Sequence, residues 1–214
     1  MRINGYDISS YQSGIDMERI KNNGDFVILR GGYTTNGGLR KRRVDISFET
    51  FYNRAKAVGL NVGVYYYSCA TNYQEGREDA VFLYNNCLRG RKFEYPIYID
   101  VEDKYMINAG KRGCTDAVKG FCEFLESKGF YVGFYTGYYT LTGNMIQSEL
   151  ERYTLWGAWW KNGTTPPAKL KALPNFHLWQ HSGGGETVGT YKIDGDYSFV
   201  DFPKVIKKNG LNGY

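Results

Sequence analysis

Short apolar runs alternate with segments of helical periodicity over the first two-thirds of the chain. Five runs rich in β-branched and aromatic residues predict strands at Ile3–Ile8, Phe26–Gly31, Asn61–Ser68, Pro96–Glu102 and Phe130–Thr136. Five segments with apolar residues at helical spacing predict helices at Asp16–Asn23, Ser47–Val58, Gln74–Leu88, Thr115–Lys128 and Tyr138–Tyr153. Such alternation of strands and helices is typical of a parallel sheet.

The rhythm changes after residue 150. Apolar runs predict strands at Leu155–Trp160, Phe176–Gln180 and Lys192–Phe199, with Ser182–Gly185 as a connecting loop and a short helix at Pro203–Asn209. Eight strands with helices between the early ones only predict an α/β fold. The expected form is an irregular (β/α) barrel, TIM-barrel-like, with helices missing between the last strands and the site at the strands' C-terminal ends. An open doubly wound sheet is the alternative. The length of 214 residues fits a single domain over residues 1–214.

Aromatic content and positive charge add to this picture. Aromatic residues make up 17% of the chain, with 20 tyrosines, and tyrosine suits both stacking on sugar rings and packing in a core. The net charge is +5, and the basic runs Arg40–Arg43 and Arg89–Lys92 are either solvated faces or contacts for an anionic partner, nucleic acid or polyanionic cell wall. Because no zinc spacing or RNA-recognition signature accompanies the charge, we predict no nucleic-acid partner. No apolar stretch reaches the ~20 residues of a membrane span, so no membrane insertion is predicted.

The four cysteines have no metal-ligand spacing. Cys69, Cys87, Cys114 and Cys122 lie in strand or helix patterns, and we predict that all are free and mostly buried. Neither a metal nor a cofactor is predicted.

Two acids stand close together at the end of an apolar strand. Asp100 and Glu102 are two residues apart in the predicted strand Pro96–Glu102, so they point to the same side with Cα atoms roughly 6.6 Å apart. Partial burial and a neighbouring negative charge raise a carboxyl pKa, so one acid can stay protonated near neutral pH while the other is ionised. That combination suits glycoside hydrolysis. Two solvated acids or a metal site are the alternatives.

Three further acids are candidates for the same mouth of a closed barrel. Asp7 ends the first predicted strand, although an isolated aspartate at such a position is also a common cap. Asp194 and Asp196 lie on the last strand, in an Asp-Gly-Asp segment that also fits a turn or a calcium loop.

Other common catalytic constellations have little support. His177 and His181 are the only histidines, and no serine has the glycine pattern of a nucleophile elbow. The two histidines share a strand and would face one side as a zinc pair, but a structural role is favoured because no further ligand spacing accompanies them.

Taken together, several segments resemble glycoside hydrolase family 25, the Chalaropsis-type lysozymes of phage endolysins, bacteria and fungi. The resemblance covers nearly the whole chain and rests on segments in matching order, at 5–12, 26–30, 57–68, 95–102, 133–137, 155–159 and 178–180. It implies an irregular (β/α) barrel and hydrolysis of the β-1,4 bond from N-acetylmuramic acid to N-acetylglucosamine.

The resemblance also implies residue roles. Glu102 corresponds to the general acid, and Asp100 to the residue that orients the substrate's acetamido group. Asp7 and Asp194 complete the acidic cluster. Residues implied to line the saccharide groove are Tyr65, Tyr67, Tyr135, Trp156, Gln180 and Asp196. Many members carry Val-Asp-x-Asn on the last strand where this chain has Ile193-Asp194-Gly195-Asp196, so the role of Asp196 is the least defined.

Two other functions are alternatives. A chitinase of the Asp-x-Asp-x-Glu type would need an acid where Tyr98 stands, and a non-catalytic glycan-binding module would not need the acids that this chain retains. The expected partner is bacterial peptidoglycan, bound by a monomer acting extracellularly on the cell wall. The N-terminal sequence shows no signal-peptide pattern, so release by a phage holin or removal of a leader is expected.

Overall fold

One sheet of nine strands organises the computed structural model, which describes residues 1–35 and 40–214. The strands are β1 (Ile3–Ile8), β2 (Phe26–Thr35), β3 (Lys41–Val44), β4 (Asn61–Tyr67), β5 (Ile97–Asp100), β6 (Val132–Gly137), β7 (Thr154–Ala158), β8 (Phe176–Val188) and β9 (Tyr191–Ser198). The helices are α1 (Met17–Asn23), α2 (Phe48–Ala57), α3 (Tyr73–Leu83), α4 (Lys104–Asn108), α5 (Gly110–Glu126), α6 (Tyr138–Asn144), α7 (Ala168–Lys171) and α8 (Phe202–Lys208).

The sheet closes on itself. Its strand order is β1-β9-β8-β7-β6-β5-β4-β2-β3, and β1 also pairs with β2, so eight strands form a barrel while β3 extends β2 as an outer hairpin. Neighbouring barrel strands from β1 through β8 run parallel, whereas β9 is antiparallel to both β8 and β1, and the outer strand β3 is antiparallel to β2. The predicted barrel is confirmed, and the open doubly wound sheet is wrong.

Aromatic side chains fill the lower part of the barrel. Phe26 at the start of β2 stacks on Tyr95 with ring centroids 4.2 Å apart, and Phe202 of α8 meets Tyr95 edge-on at 5.3 Å. Phe202 and Ile206 belong to this interior cluster, so α8 closes the N-terminal end of the barrel. Because this end is packed shut, substrate access is left to the C-terminal end of the strands.

The helices pack around the outside of the barrel. α3 and α5 approach closely because Gly76 and Gly120 each face the backbone of the other helix: a Cβ atom on either would lie 2.0 Å from a carbonyl oxygen, that of Ala117 or Tyr73. This contact fixes the position of α3. The helix carries a fully buried aspartate, Asp79, which contacts the hairpin of β2 and β3.

The basic run Arg40–Arg43 is solvated only in part, because Lys41 and Arg43 are exposed whereas Arg40 and Arg42 are engaged in ion pairs. Residues from Lys41 form β3, and the guanidinium groups of Arg40 and Arg42 bind the carboxylate of Asp79. The pattern of the run alone hides this role because its partner lies on a different element, almost forty residues later.

Several predicted boundaries are also wrong. The glycine-rich stretch Ser182–Gly185 is part of β8 rather than a loop, and register shifts on both sides of Ser182 let the hairpin with β9 absorb it. β5 ends at Asp100, so Glu102 follows the strand. α6 ends at Asn144, before a 3₁₀ turn at Gln147–Glu149. The short helices α4 and α7 lie where none were predicted.

The four cysteines are buried and free, as predicted. Over residues 1–35 and 40–214, no helix combines the length and the apolar character that crossing a membrane requires.

Candidate active site

Three grooves meet at the C-terminal end of the parallel strands. The largest, of about 690 Å³, is lined by polar and aromatic residues of β1, β2 and β4; a central one of about 270 Å³ lies over the barrel; a third, of about 420 Å³, is mostly aromatic. We call them the polar, central and aromatic grooves. Glu102 lines all three.

Asp100 and Glu102 occupy different environments at this junction. Asp100 is the last residue of β5 and is 3% exposed, with its Oδ1 atom buried and without a hydrogen-bond partner among the described residues. Glu102 stands two residues further on, where the side chain reaches solvent at the mouth of the barrel. The pair is therefore asymmetric: one acid is enclosed and the other is accessible.

Asp103 fixes the loop that carries Glu102. Its Oδ1 atom accepts from the backbone N–H of Tyr105 at 2.8 Å and caps α4. Its Oδ2 atom accepts from the Tyr67 hydroxyl at 3.0 Å. Because both oxygens are engaged, the segment between β5 and α4 is held at a defined position.

Asp7 belongs to a chain of hydrogen bonds across the floor of the central groove. Its Oδ2 atom accepts from Gln180 Nε2 at 2.9 Å. Gln180 Oε1 in turn accepts from the Tyr135 hydroxyl at 2.8 Å and from Trp160 Nε1 at 3.0 Å. These hydrogen bonds link β1, β6 and β8 and orient Trp160 above the three strands.

The two aspartates of β9 lie at different depths. Asp194 pairs with Asp7 across the β1–β9 ladder, lines the polar and central grooves, and accepts a hydrogen bond from the backbone N–H of Gly184. Asp196 is fully buried and accepts from Trp156 Nε1 at 2.8 Å. It is not among the residues that line the three grooves, so it lies beneath the site rather than in it.

Burial raises the pKa of Asp7, Asp100, Glu102, Asp194 and Asp196, and neighbouring carboxyls add to this effect for all of them except Asp194. Burial, Asp194 and Glu102 raise the pKa of Asp7 to about 8, against hydrogen bonds that lower it. Burial, then Glu102 and Asp7, raise the pKa of Asp100 well above its usual range, and Arg30 offsets part of this. Although Glu102 reaches solvent, the surrounding groove walls desolvate its carboxyl, and this burial, with Asp194 and Asp103, raises its pKa. The site therefore retains protons at a pH where exposed carboxyls are ionised.

The other residues predicted from the sequence are brought together as well. Tyr65 and Tyr67 line the polar groove, and Tyr65, Tyr135, Trp156 and Gln180 line the central one. Trp156 is only 1% exposed, so only a small part of its surface reaches the groove.

Residues that the sequence did not single out also form the walls. Tyr11 is 83% exposed on the polar groove, while Tyr139 and Trp160 are 75% and 65% exposed on the aromatic groove. Arg30 lies between the Tyr11 and Tyr33 rings, 5.2 Å from each ring centroid, and donates to Asp45 at 2.6 Å. Exposed aromatic residues at a barrel mouth are a signal for sugar binding, but their exposure is not visible in the sequence.

The histidines have packing roles. His177 Nδ1 is 2.8 Å from the Thr154 hydroxyl, and the His181 ring stacks on Tyr197 with centroids 4.3 Å apart. No group of three or more potential metal ligands is present in the described part of the chain.

Comparisons with known proteins agree with this geometry. The family model described as glycosyl hydrolases family 25 matches residues 6–190. The chain is similar to the CTP1L endolysin at 22% identity, with a TM-score of 0.78 over 96% of this chain and 70% of that one. It is similar to a lysozyme from Streptomyces coelicolor at 20% identity, with a TM-score of 0.70 over 92% of each chain.

A muramidase from Trichobolus zukalii gives 20% identity and a TM-score of 0.70 over 95% of this chain and 96% of that one. At 20–22% identity, these three structures show similarity of fold. A search of curated protein sequences found no match. Since the family model spans most of the barrel, with Asp7, Asp100 and Glu102, the chain belongs to glycosyl hydrolases family 25.

Proposed function

We propose that this glycoside hydrolase is a lysozyme, a 1,4-β-N-acetylmuramidase that cleaves the bond between N-acetylmuramic acid and N-acetylglucosamine in bacterial peptidoglycan. Family membership supports the reaction class. The structural relatives described as an endolysin, a bacterial lysozyme and a muramidase support the substrate. Residues 1–214 would act as one catalytic domain on the cell wall.

The position of Glu102 is the observation that carries this proposal. It is the acid at which the polar, central and aromatic grooves converge, so a glycan laid along them would place a glycosidic bond beside its carboxyl. Burial, with Asp194 and Asp103, raises the pKa of its carboxyl, which favours the protonated form. A general acid for a leaving sugar oxygen needs both properties.

The remaining acids fit a substrate-assisted route. Glu102 donates its proton to the glycosidic oxygen while the carbonyl oxygen of the substrate's 2-acetamido group attacks the anomeric carbon. Asp100, which is enclosed and whose Oδ1 atom has no partner among residues 1–35 and 40–214, orients and polarises that acetamido group. Glu102 then takes a proton from the water that attacks the same carbon, which restores the acid and retains the anomeric configuration. Asp7 and Asp194 line the central groove and complete the acidic cluster beside the sugar on which positive charge develops.

The two outer grooves fit the two sides of the scissile bond. Tyr138, Tyr139, Trp159 and Trp160 give the aromatic groove flat apolar faces for sugar rings. The polar groove, with Arg30, Ser10 and Gln12, offers hydrogen-bond donors for hydroxyl, acetamido or lactyl groups.

Mass spectrometry of products from purified wall tests the reaction. We expect borohydride-reduced muramic acid ends from the wild type, and a loss of roughly 10²–10⁴-fold in turnover for Glu102→Gln, which keeps the shape but not the acid. Glu151→Gln, at an exposed glutamate away from the grooves, is the matched control and should clear wall suspensions like the wild type. Reduced glucosamine ends or free stem peptides would contradict the proposal.

The non-catalytic and chitinase alternatives are separated by the same preparation. A wild type that binds wall but releases no product would indicate a binding module. Release of products from chitin oligosaccharides but not from wall would indicate a chitinase, a reading that the buried Tyr98 at the position of the required acid disfavours.

The stereochemical course has its own test. Nuclear magnetic resonance of fresh hydrolysate should show the β-anomer first, because two displacements retain configuration. Initial release of the α-anomer would rule out the substrate-assisted route while leaving the bond specificity intact.

A further inference from the structure

Asp196 is a buried acid that the proposed mechanism does not use. It is fully buried in the barrel, opposite Gly5 in the ladder between β1 and β9, while Asp7 pairs with Asp194 two positions along. Residues two apart on a strand face the same side, so Asp7, Asp194 and Asp196 all point inward. Asp196 therefore lies directly below the groove floor that Asp7 forms.

The two oxygens of Asp196 are in different situations. Oδ1 accepts from Trp156 Nε1 at 2.8 Å, whereas Oδ2 is buried and has no donor among the described residues. The Asp196 carboxyl lies near that of Asp7, because Asp196 pairs with Gly5, two residues before Asp7, on the same side of the β1–β9 ladder, and each acid acts on the pKa of the other. Two ionised carboxylates only accept, so these acids can hydrogen-bond to each other only if one of them carries a proton.

We propose that Asp196 is a positioning residue that shares one proton with Asp7. The proton lies between Asp196 Oδ2 and the Asp7 carboxyl, and it converts an unsatisfied buried oxygen into a donor. Asp7 is then held from two sides, by Asp196 below and by Gln180 Nε2 at 2.9 Å. Through Gln180 the shared proton also fixes the hydrogen bonds of Tyr135 and Trp160 at the groove wall.

The charges around the pair favour retention of this proton. Asp194 on β9 and Glu102 beyond β5 act on Asp7, and both are acids. Asp7 and Asp194 act on Asp196, while the neighbouring ring systems are Trp156 on β7, which donates, and Tyr95 and Tyr98 near β5. Burial, the largest cause, and the neighbouring carboxylates raise the pKa of both Asp7 and Asp196.

The proposal has a defined consequence for unfolding. A carboxyl whose pKa is raised by folding binds a proton in the native state that the unfolded chain releases, so stability falls as pH rises. Between about pH 5 and the value of about 8 for Asp7, one retained proton makes the unfolding equilibrium constant rise tenfold per pH unit. Other acids of the site also contribute to this pH dependence. The contribution of Asp196 is therefore read from the difference in slope between the wild type and a variant.

Asp196→Asn is the decisive variant because its amide can donate to Asp7 without any titrating proton. Over this range, we expect the factor by which its unfolding equilibrium constant rises per pH unit to be about ten times smaller than that of the wild type. Asp25→Asn removes the same charge at an exposed site and should keep the wild-type slope. Asp196→Ala should lose the slope as well, but with lower stability at every pH, because Asp7 and Trp156 both lose a partner.

Infrared difference spectroscopy reads the proton directly. At neutral pH the wild type should show a protonated-carboxyl band that is lost in Asp196→Asn and equally in Asp7→Asn, since both acids hold the same proton. An unchanged band and unchanged pH slope in Asp196→Asn would overturn the proposal. If Asp196→Asn fails to fold, Asp7→Asn is measured alone, and an unchanged band and unchanged pH slope in that variant would overturn the proposal.

These measurements need no lytic activity. If the protein clears no cell wall, the proposed function is refuted. The shared proton would still be tested independently by the unfolding and infrared measurements.

Discussion

Replacing Asp79 with asparagine would test what holds the hairpin of β2 and β3 beside the polar groove. Asp79 is fully buried on α3 and accepts hydrogen bonds from Thr34, Ser68, Arg40 and Arg42 at 2.7–3.2 Å. Thr34 itself lines the groove. Asparagine keeps the shape but removes the charge, and it turns an N–H₂ group toward donors that need an acceptor.

The expected cost follows from leaving two arginines without their buried counter-ion. Removing one partner of a buried ion pair costs about 3–5 kcal/mol. For a chain of this size each kcal/mol lowers the melting temperature by about 2–4 °C, so Asp79→Asn should melt roughly 6–20 °C below the wild type. Thermal and denaturant unfolding, followed by circular dichroism, measure both quantities.

A neighbouring glutamate supplies the matched control. Glu78 also binds Arg42, at 2.8 Å, but its side chain is 44% exposed against 0% for Asp79. Exposed pairs contribute about 0.2–1 kcal/mol, so Glu78→Gln should melt within a few degrees of the wild type. Equal losses for the two variants, or a loss below about 1 kcal/mol for Asp79→Asn, would refute the reasoning.

Two further changes probe the groove wall and the acid stability of the fold. Trp160→Ala removes an exposed ring of the aromatic groove, and we expect KM for soluble muropeptide chains to rise about fivefold or more while kcat changes less, which steady-state kinetics would show. A fall in kcat with unchanged KM would contradict a binding role. Burial raises the pKa of Glu94, but hydrogen bonds from Lys56, Tyr214 and the Val62 N–H outweigh it and hold that pKa below its usual value. Its contribution to stability is therefore present above about pH 4.5 and lost as pH falls through the folded value, so Glu94→Gln should flatten the melting-temperature profile at acidic pH; an unchanged acid limb would contradict this.

The barrel was predictable because its signals are local. Some patterns depend only on residues close in sequence, such as the helix–glycine–strand boundaries at Gly59 and Gly129 and the apolar run ending at Asp100. Parallel barrel strands then bring their C-terminal ends to one mouth. Asp7, Asp100, Glu102 and Asp194 could thus be grouped before any distance was known.

Features that depend on distant partners were not predictable. The run Arg40–Arg43 has no strand alternation, and its role follows from Asp79 on another element. The depth of Asp196 and the exposure of Trp160 depend on how β7, β8 and β9 curve around the site. The glycines of Ser182–Gly185 indicate a loop by propensity, but pairing with β9 overrides this tendency.

β8 and β9, the last two strands of the barrel, determine when the site can form during synthesis. Gln180, which holds Asp7, is 173 residues away from it in sequence, and Asp194 lies further on still. Contacts between segments so far apart form late, because the intervening chain must first be ordered. A nascent chain that has folded only its early strand–helix units has an unfinished mouth, so cleavage has to wait for β8 and β9 to emerge.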